Sequence, residues 1–345
     1  MSLFSNPKKK LAHDVAQKLI SGHTTLVSYW ALKHAGVLDA MKKSPEGLEP
    51  VAFAQQTNMS EDTLQAILAY LQTQGLVEFK SDRAFRTQNC DALMEFDDGV
   101  LEHMRAYDGV THAIEHLLAR LKLYGSSIHR RSDVVMQAQS NRYTEEVYPA
   151  IESAAIKHNA THVLDLNCGP GTLLVRLALR APKVVGVGVC EDGVLTRQAN
   201  AAIANATLEK RLIAVNANPI EICTTTQRAL DRVSVSQQLW EKFNCLIACG
   251  VFTDIAARDP LALIAALRQI SVNFKSPTVL IAEPCSGPRF DKTYYAAEMT
   301  LLNRLARINL PTQDQWRNLL GEGQLKVLRE VALETDGVTL FICSA

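Results

Sequence analysis

The sequence lacks several features that would assign it to a class at once. Its 36 basic and 36 acidic side chains cancel, so no global field would hold the chain on nucleic acid or on an anionic membrane. No apolar run reaches the roughly eighteen residues that a membrane span needs. The charged start MSLFSNPKKKLAHD has no apolar stretch behind it to make a signal segment. The eight cysteines, at positions 90, 168, 190, 223, 245, 249, 285 and 343, include no C-x-x-C pair and no zinc-like spacing. Several lie inside apolar strand-like runs, which reads as reduced, buried small hydrophobes. A soluble cytoplasmic protein without a metal site is therefore expected. No histidine occurs after His162, which limits where acid–base chemistry near neutral pH can come from.

The informative stretch is Val163 to Leu174, VLDLNCGPGTLL. An apolar strand breaks into Cys168-Gly169-Pro170-Gly171 and restarts as a helix. Glycine lets a ligand approach the backbone, and a helix start presents unpaired N–H groups, so this arrangement suits a nucleotide-like molecule. The third glycine of the dinucleotide G-x-G-x-x-G turn is missing, and Asp165 sits four residues before Gly169, within reach of polar ligand groups. Asp165-Leu166-Asn167-Cys168-Gly169-Pro170-Gly171 resembles the D-x-x-C-G-x-G signature of class I S-adenosylmethionine (SAM) dependent methyltransferases.

With 345 residues, of which 47% are apolar, the chain suggests two domains or one large domain with an accessory one. Residues 11 to 43 have apolar side chains at helical spacing, broken by Gly22 and Gly36, and predict two or three helices. Ser60 as N-cap starts a helix to about Gln74, Gly75 stops it, and Leu76–Phe79 with Ala84–Thr87 make a small hairpin. That order is a winged helix. Its second helix, EDTLQAILAYLQTQ, has no Lys or Arg and so lacks the side chains that reach phosphates and base edges. The segment instead resembles the N-terminal domain of small-molecule O-methyltransferases, and the resemblance implies a homodimer paired through this region. The domains expected are 1–97, a mainly α winged-helix dimerisation domain; 98–155, a helical connector bordering the acceptor pocket; and 156–345, the SAM-binding domain.

From His162 on, apolar strands alternate with helices: Val163–Leu166, Val184–Val189, Leu212–Val215, Cys245–Ala248 and Val279–Ala282. This predicts a mostly parallel, doubly wound α/β sheet. A helix at Gln313–Leu320 then leads to Lys326–Leu333 and, through Thr335-Asp336-Gly337, to Val338–Cys343. An antiparallel hairpin closing such a sheet is the C-terminal pattern of the methyltransferases, and LPTQDQW from Leu310 is similar to a helix start of that family. The expected fold is thus a seven-stranded Rossmann-like sheet.

In such sheets ligands lie across the carboxyl ends of the strands. Asp165, Asn167, Cys168, Gly169 and Gly171 are then candidates for the methionine part of SAM, and Cys249 for the path beside it. Where the resemblance implies an acid for the ribose hydroxyls, the chain has Cys190 followed by Glu191. Either Glu191 has taken that role or the ribose is held differently. Asn216 and Asn218 stand where the family often has an Asp near adenine, and the plain alternative for Asn218 is a turn.

The acceptor side departs further, because Thr253, followed by Asp254, occupies the place of the family's general-base His. A base could be Asp254, Glu283, Tyr294 or Tyr295, or a His or Tyr between residues 103 and 148. His112 and His116, four apart on one expected helix face, and Tyr143 and Tyr148, on the last helix before the signature strand with Pro149 interrupting or bending it, are the candidates there. Alternatively no base is needed, since a sulfonium donor is already activated and alignment with desolvation can supply much of the acceleration. The function expected is methylation of a small-molecule metabolite on O, N or S. A SAM-binding enzyme of other chemistry and a winged-helix regulator are the alternatives.

Overall fold

The run from Val163 to Leu166 is apolar without alternation because the strand it forms is covered on both faces, as parallel strands inside α/β domains are. The computed structural model describes residues 7–96, 99–224, 237–275 and 277–345. The chain divides into two compact units, Met1–Asp97 and Asp98–Ala345.

In the first unit the helix Pro7–His34 runs through Gly22 without a break, and Gly36, with φ 74°, ends it. The helices Val37–Lys43, Pro50–Thr57 and Glu61–Thr73 follow. Pro50 opens a helix, having no N–H to lose there, and the Ser60 hydroxyl caps the last one by accepting from the Thr63 N–H at 3.3 Å. Strands β1 (Val77–Lys80) and β2 (Arg83–Arg86) form an antiparallel hairpin.

The second unit is built on a seven-stranded sheet of order β5-β4-β3-β6-β7-β9-β8. Strands β3 (His162–Asp165), β4 (Val185–Cys190), β5 (Leu212–Asn216), β6 (Cys245–Cys249) and β7 (Thr278–Pro284) run parallel. The chain winds outward from β3 to β5, then returns to the centre and winds the other way through β6 and β7. Between β3 and β6 the order reverses, and a crevice opens beyond their carboxyl ends. Strands β8 (Lys326–Ala332) and β9 (Val338–Ser344) close the far side as the antiparallel hairpin, with β9 beside β7.

Two apolar cores cover the sheet faces. One joins Ile151, Leu173, Leu174 and Leu177 to β3, β4 and β6; the other packs Phe243, Phe252, Leu263, Leu267 and Trp316. A third cluster, with Val100, Tyr107, Val135, Phe290, Tyr295 and Met299, joins residues 100–135 to the helices around residue 300. It forms a roof beyond the strand ends, in the same compact unit as the sheet. Pro149 does not bend a helix: Ser132–Tyr143 and Val147–Lys157 are separate helices, broken at residues 144–146, and Pro149 lies in the first turn of the second. No helix among the described residues is long and apolar enough to cross a membrane.

Candidate active site

Asp165 ends β3 and is buried. Its Oδ1 accepts the Asn167 N–H at 3.1 Å, while Oδ2, also buried, has no partner among the described residues. Burial pushes the Asp165 carboxyl up to about 7. Asn167 stitches the crevice together, donating from Nδ2 to the Cys249 carbonyl at 2.9 Å and more weakly to that of Gly250 at 3.4 Å. Gly169 (φ 52°) and Gly171 (φ 84°) turn the chain into the helix Thr172–Arg180. A Cβ on Gly171 would stand 3.1 Å from Ala199, so close packing requires that glycine. A Cβ on Gly169 would find nothing nearer than Met136 at 3.6 Å, so Gly169 leaves space in the crevice itself. Gly188 on β4 was silent in the sequence; it makes room for Cys168, whose Cβ and Sγ would each stand 2.7 Å from an added Cβ.

Beyond this turn the crevice widens to about 310 Å³ between Met136, Gln139, Asn167, Glu191, Asn218, Gly250 and Asp254. A second cavity adjoins it, lined by His103, Arg130, Gln139, Arg142, Tyr143, Thr253, Asp254, Tyr295, Asn303 and Asp336 together with apolar Val135, Phe290, Met299, Ile308 and Leu310. Gln139 borders both spaces and the glycine turn. Its side chain lies over Gly250, where a Cβ would meet Nε2 at 1.8 Å. Gly250, with φ 63°, is therefore tied to Gln139 at the junction of the two spaces.

The charged groups of the second cavity are closely matched. Arg130 donates to Asp254 and, at 2.7 Å, to the Tyr107 hydroxyl. Arg142 donates to Asp336 at 3.0 Å and to His103 Nδ1 at 3.0 Å, and the Tyr295 hydroxyl donates to the other Asp336 oxygen. Asp254 also accepts from Arg258 at 3.2 Å. Glu283, buried at the end of β7, accepts from the N–H groups of Val251, Phe252 and Thr253 at 2.9, 2.8 and 3.2 Å and from the Thr253 hydroxyl at 2.7 Å. It anchors the start of the helix Phe252–Arg258 by accepting from its first N–H groups, although burial lifts its carboxyl to about 7.

No protein-family model matches the chain, and no curated protein does. Solved structures do. Mitomycin 7-O-methyltransferase is 16% identical with a TM-score of 0.69, covering 97% of this chain and 98% of that one. A putative O-methyltransferase from Nostoc punctiforme is 14% identical, with a TM-score of 0.67 over 96% of this chain and 99% of that one. The O-methyltransferase of neocarzinostatin biosynthesis, crystallised with SAM and 2-hydroxy-5-methyl naphthoic acid, is 16% identical with a TM-score of 0.62 over 93% and 96%. The fold is that of the small-molecule O-methyltransferases. At these identities the likeness extends to the fold alone.

Within the methyltransferase fold the residues singled out from the sequence scatter. Asp165, Asn167, Cys168, Gly169 and Cys249 line the crevice around the glycine turn, and Gly171 packs behind it. Cys190 is buried in the core with its thiol against Cys168, so it has no path to a ribose, whereas Glu191 is exposed at the crevice and accepts from Asn218 Nδ2. Asn218 Oδ1 accepts from the N–H groups of Ile220 and Glu221 at 2.9 and 3.0 Å. With both lone pairs engaged it cannot also accept from an adenine amine. Asn216 donates to the Cys190 carbonyl at 3.1 Å and stays at the surface.

Four acceptor-side expectations need correction or refinement. His112 and His116 do not share one helix face: the chain breaks at Ala113 between the short helices Asp108–Thr111 and Ile114–Leu118. Both are exposed, His112 held by Asp108, and neither lines the second cavity. Tyr294 is 63% exposed, and its neighbour Tyr295 lines the cavity instead. Tyr148 packs edge-on against Tyr143 and reaches only the glycine-turn side, while Tyr143 borders both. Thr253 and Asp254 do line the cavity, engaged as described. Arg130, Gln139, Arg142 and Asp336 carried no signal in the sequence, except that Asp336 marked a turn.

Proposed function

We propose that the protein is a SAM-dependent methyltransferase acting on a small, largely apolar molecule. The observation that carries this reading is the unmatched, buried Oδ2 of Asp165 beside the open space at Gly169. It is an acceptor awaiting a donor, at the point in the sheet where ligands lie. The methionine ammonium group of SAM is such a donor, and it would restore the Asp165 charge that burial suppresses. Gly169 would let the ligand approach the backbone, Glu191, oriented by Asn218, offers carboxylate oxygens suited to ribose hydroxyls, and Cys249 and Gly250 border the path onward. Bound there, SAM supplies a methyl group on a positively charged sulfur, open to in-line displacement.

The remaining work falls to the chain. Gln139 and Gly250 separate the two spaces, the roof cluster excludes water, and the second cavity holds the acceptor in line. Its apolar wall and paired charges fit an amphipathic molecule of no net charge. Two further readings accompany this one. Leu11, Val15, Leu19 and Ile20 recur at helical spacing on the helix Pro7–His34 and are 50–70% exposed. They support a homodimer paired through the first, winged-helix-like unit. All eight cysteines are buried and free, which supports a reducing, cytoplasmic setting.

Calorimetry with S-adenosylhomocysteine tests the central reading. One site per chain is expected, and Gly169→Ala, which meets no backbone atom and is less strained at φ 52° than a β-branched residue, should weaken binding strongly while circular dichroism shows the fold intact. Normal binding by that variant would remove the reading. Transfer of a labelled methyl group to a metabolite pool then identifies the acceptor.

A further inference from the structure

His103 lies on the helix Val100–Arg105, buried, with its ring stacked on Tyr107 at 5.7 Å between centroids and 16° between planes. Arg142 Nη2 stands 3.0 Å from its Nδ1. A guanidinium has only N–H groups to offer, so Nδ1 must be the acceptor. A doubly protonated ring would set N–H against N–H beside the charges of Arg142 and Arg130. The ring is therefore neutral, with its one proton on Nε2. Burial first, and then those two arginine charges, hold its pKa well below the ordinary value.

That leaves Nε2–H as a donor with nothing to donate to. It is buried and without a partner among the described residues, on a residue lining a cavity whose cationic donors are matched: Arg130 on Asp254 and Arg142 on Asp336, which also accepts from Tyr295. A buried, unmatched donor is costly unless something else answers it. The partner must carry a lone pair. It need not carry a charge, because each arginine already has its own carboxylate.

We propose that His103 is a specificity-determining residue of the second cavity, a fixed Nε2–H donor that reads a carbonyl oxygen on a neutral, otherwise apolar acceptor molecule. The inference deepens the methyltransferase reading and rests on it for the role of acceptor. It also excludes His103 as a general base, since the lone pair a base would use is spent on Arg142.

Two measurements on the full chain test it. The first is a long-range proton–nitrogen spectrum of the imidazoles, with the His103 signal assigned by its absence in His103→Gln. Nδ1 should be bare and Nε2 protonated, without titration between about pH 6 and about pH 8. A ring that titrates in that range, or that carries its proton on Nδ1, overturns the proposal. The second is calorimetric binding of 2-hydroxyacetophenone and 2-ethylphenol, which differ in a carbonyl at nearly constant shape. The wild type should bind the ketone about tenfold more tightly. The ratio should fall to about one in His103→Phe, which keeps the stack on Tyr107, and survive in part in His103→Gln, whose amide retains an N–H. Equal binding by the wild type, no binding of the ketone, or a preference undiminished in His103→Phe refutes the proposal, and the wild-type arms stand even if a variant fails to fold. S-adenosylhomocysteine is titrated separately: loss of its binding would sink the methyltransferase reading and leave the carbonyl reading of the cavity intact.

Discussion

Cofactor binding should be linked to one proton, and that proton should belong to Asp165. Burial raises its carboxyl from 3.8 to about 7, with only the Asn167 N–H pulling the other way. The ligand-free protein thus carries a half-protonated aspartate at neutral pH. An ammonium group placed against Oδ2 favours the ionised form, so binding must drive the proton off. At about pH 7 half the sites are ready, and at about pH 5.5 roughly 3% are, so affinity for S-adenosylhomocysteine should fall about 15-fold between them. Titrations in two buffers of different ionisation enthalpy should report about half a proton released at pH 7 and nearly one at pH 5.5. The effect on the stability of the ligand-free protein runs the opposite way. A raised acid contributes stability fully below its unfolded value of 3.8, and that contribution is lost as pH rises through about 7. Stabilisation by the ligand should therefore grow over that window. Asp165→Asn should bind weakly and flatten the profile, which separates Asp165 from Glu283, whose carboxyl burial also lifts to about 7. Affinity independent of pH, with no proton exchanged, would refute the argument.

Light scattering should report a dimer at micromolar concentration, and Leu19→Glu with Ile20→Glu should shift it towards monomer. A monomeric wild type rules out the assembly. Glu283→Ala strips the partner from three helix-start N–H groups and one hydroxyl, and should cost about 2–4 kcal/mol in urea unfolding. Thr253→Val removes only the hydroxyl bond and should cost about 1 kcal/mol with little change in kcat. Loss of turnover in Thr253→Val at unchanged stability would mean that the hydroxyl takes part in the chemistry.

Much of the fold was legible because its signals are local. A strand buried on both faces is apolar throughout, the glycine turn follows it directly, and the Asp-Gly turn before β9 announces the final hairpin. The misreadings were also local and have physical reasons. Gly22 by itself signals a break, yet one glycine costs about 1 kcal/mol, which a helix of 28 residues absorbs. Pro149 by itself signals an interruption or a bend, yet the break precedes it, and in a first turn proline forfeits no hydrogen bond. The spacing of His112 and His116 promised a shared face only if the helix continued, and it does not. The second cavity was illegible for a different reason: Arg142 and Asp336 stand 194 positions apart, and Arg130 and Asp254 stand 124 apart. No pattern along the chain marks a pair that only the fold brings together.

Those pairs bear on whether the reaction uses a base. Asp254 is the acid next to the place where the resemblance implied a histidine, and it borders both spaces. Its Oδ2 accepts from both Arg130 and Arg258, so the negative charge is held by two charge-assisted contacts that protonation would weaken. Asp336 is held between Arg142 and Tyr295, the Glu283 oxygens are occupied by a helix start, and His103 has spent its lone pair. Tyr143, raised well above its ordinary value by burial, stays neutral. A cavity whose carboxylates are held by arginines can align a nucleophile and strip it of water, but it has little capacity to deprotonate one. The acceptor that suits it arrives neutral and with its lone pair ready, as a thioether or an uncharged amine.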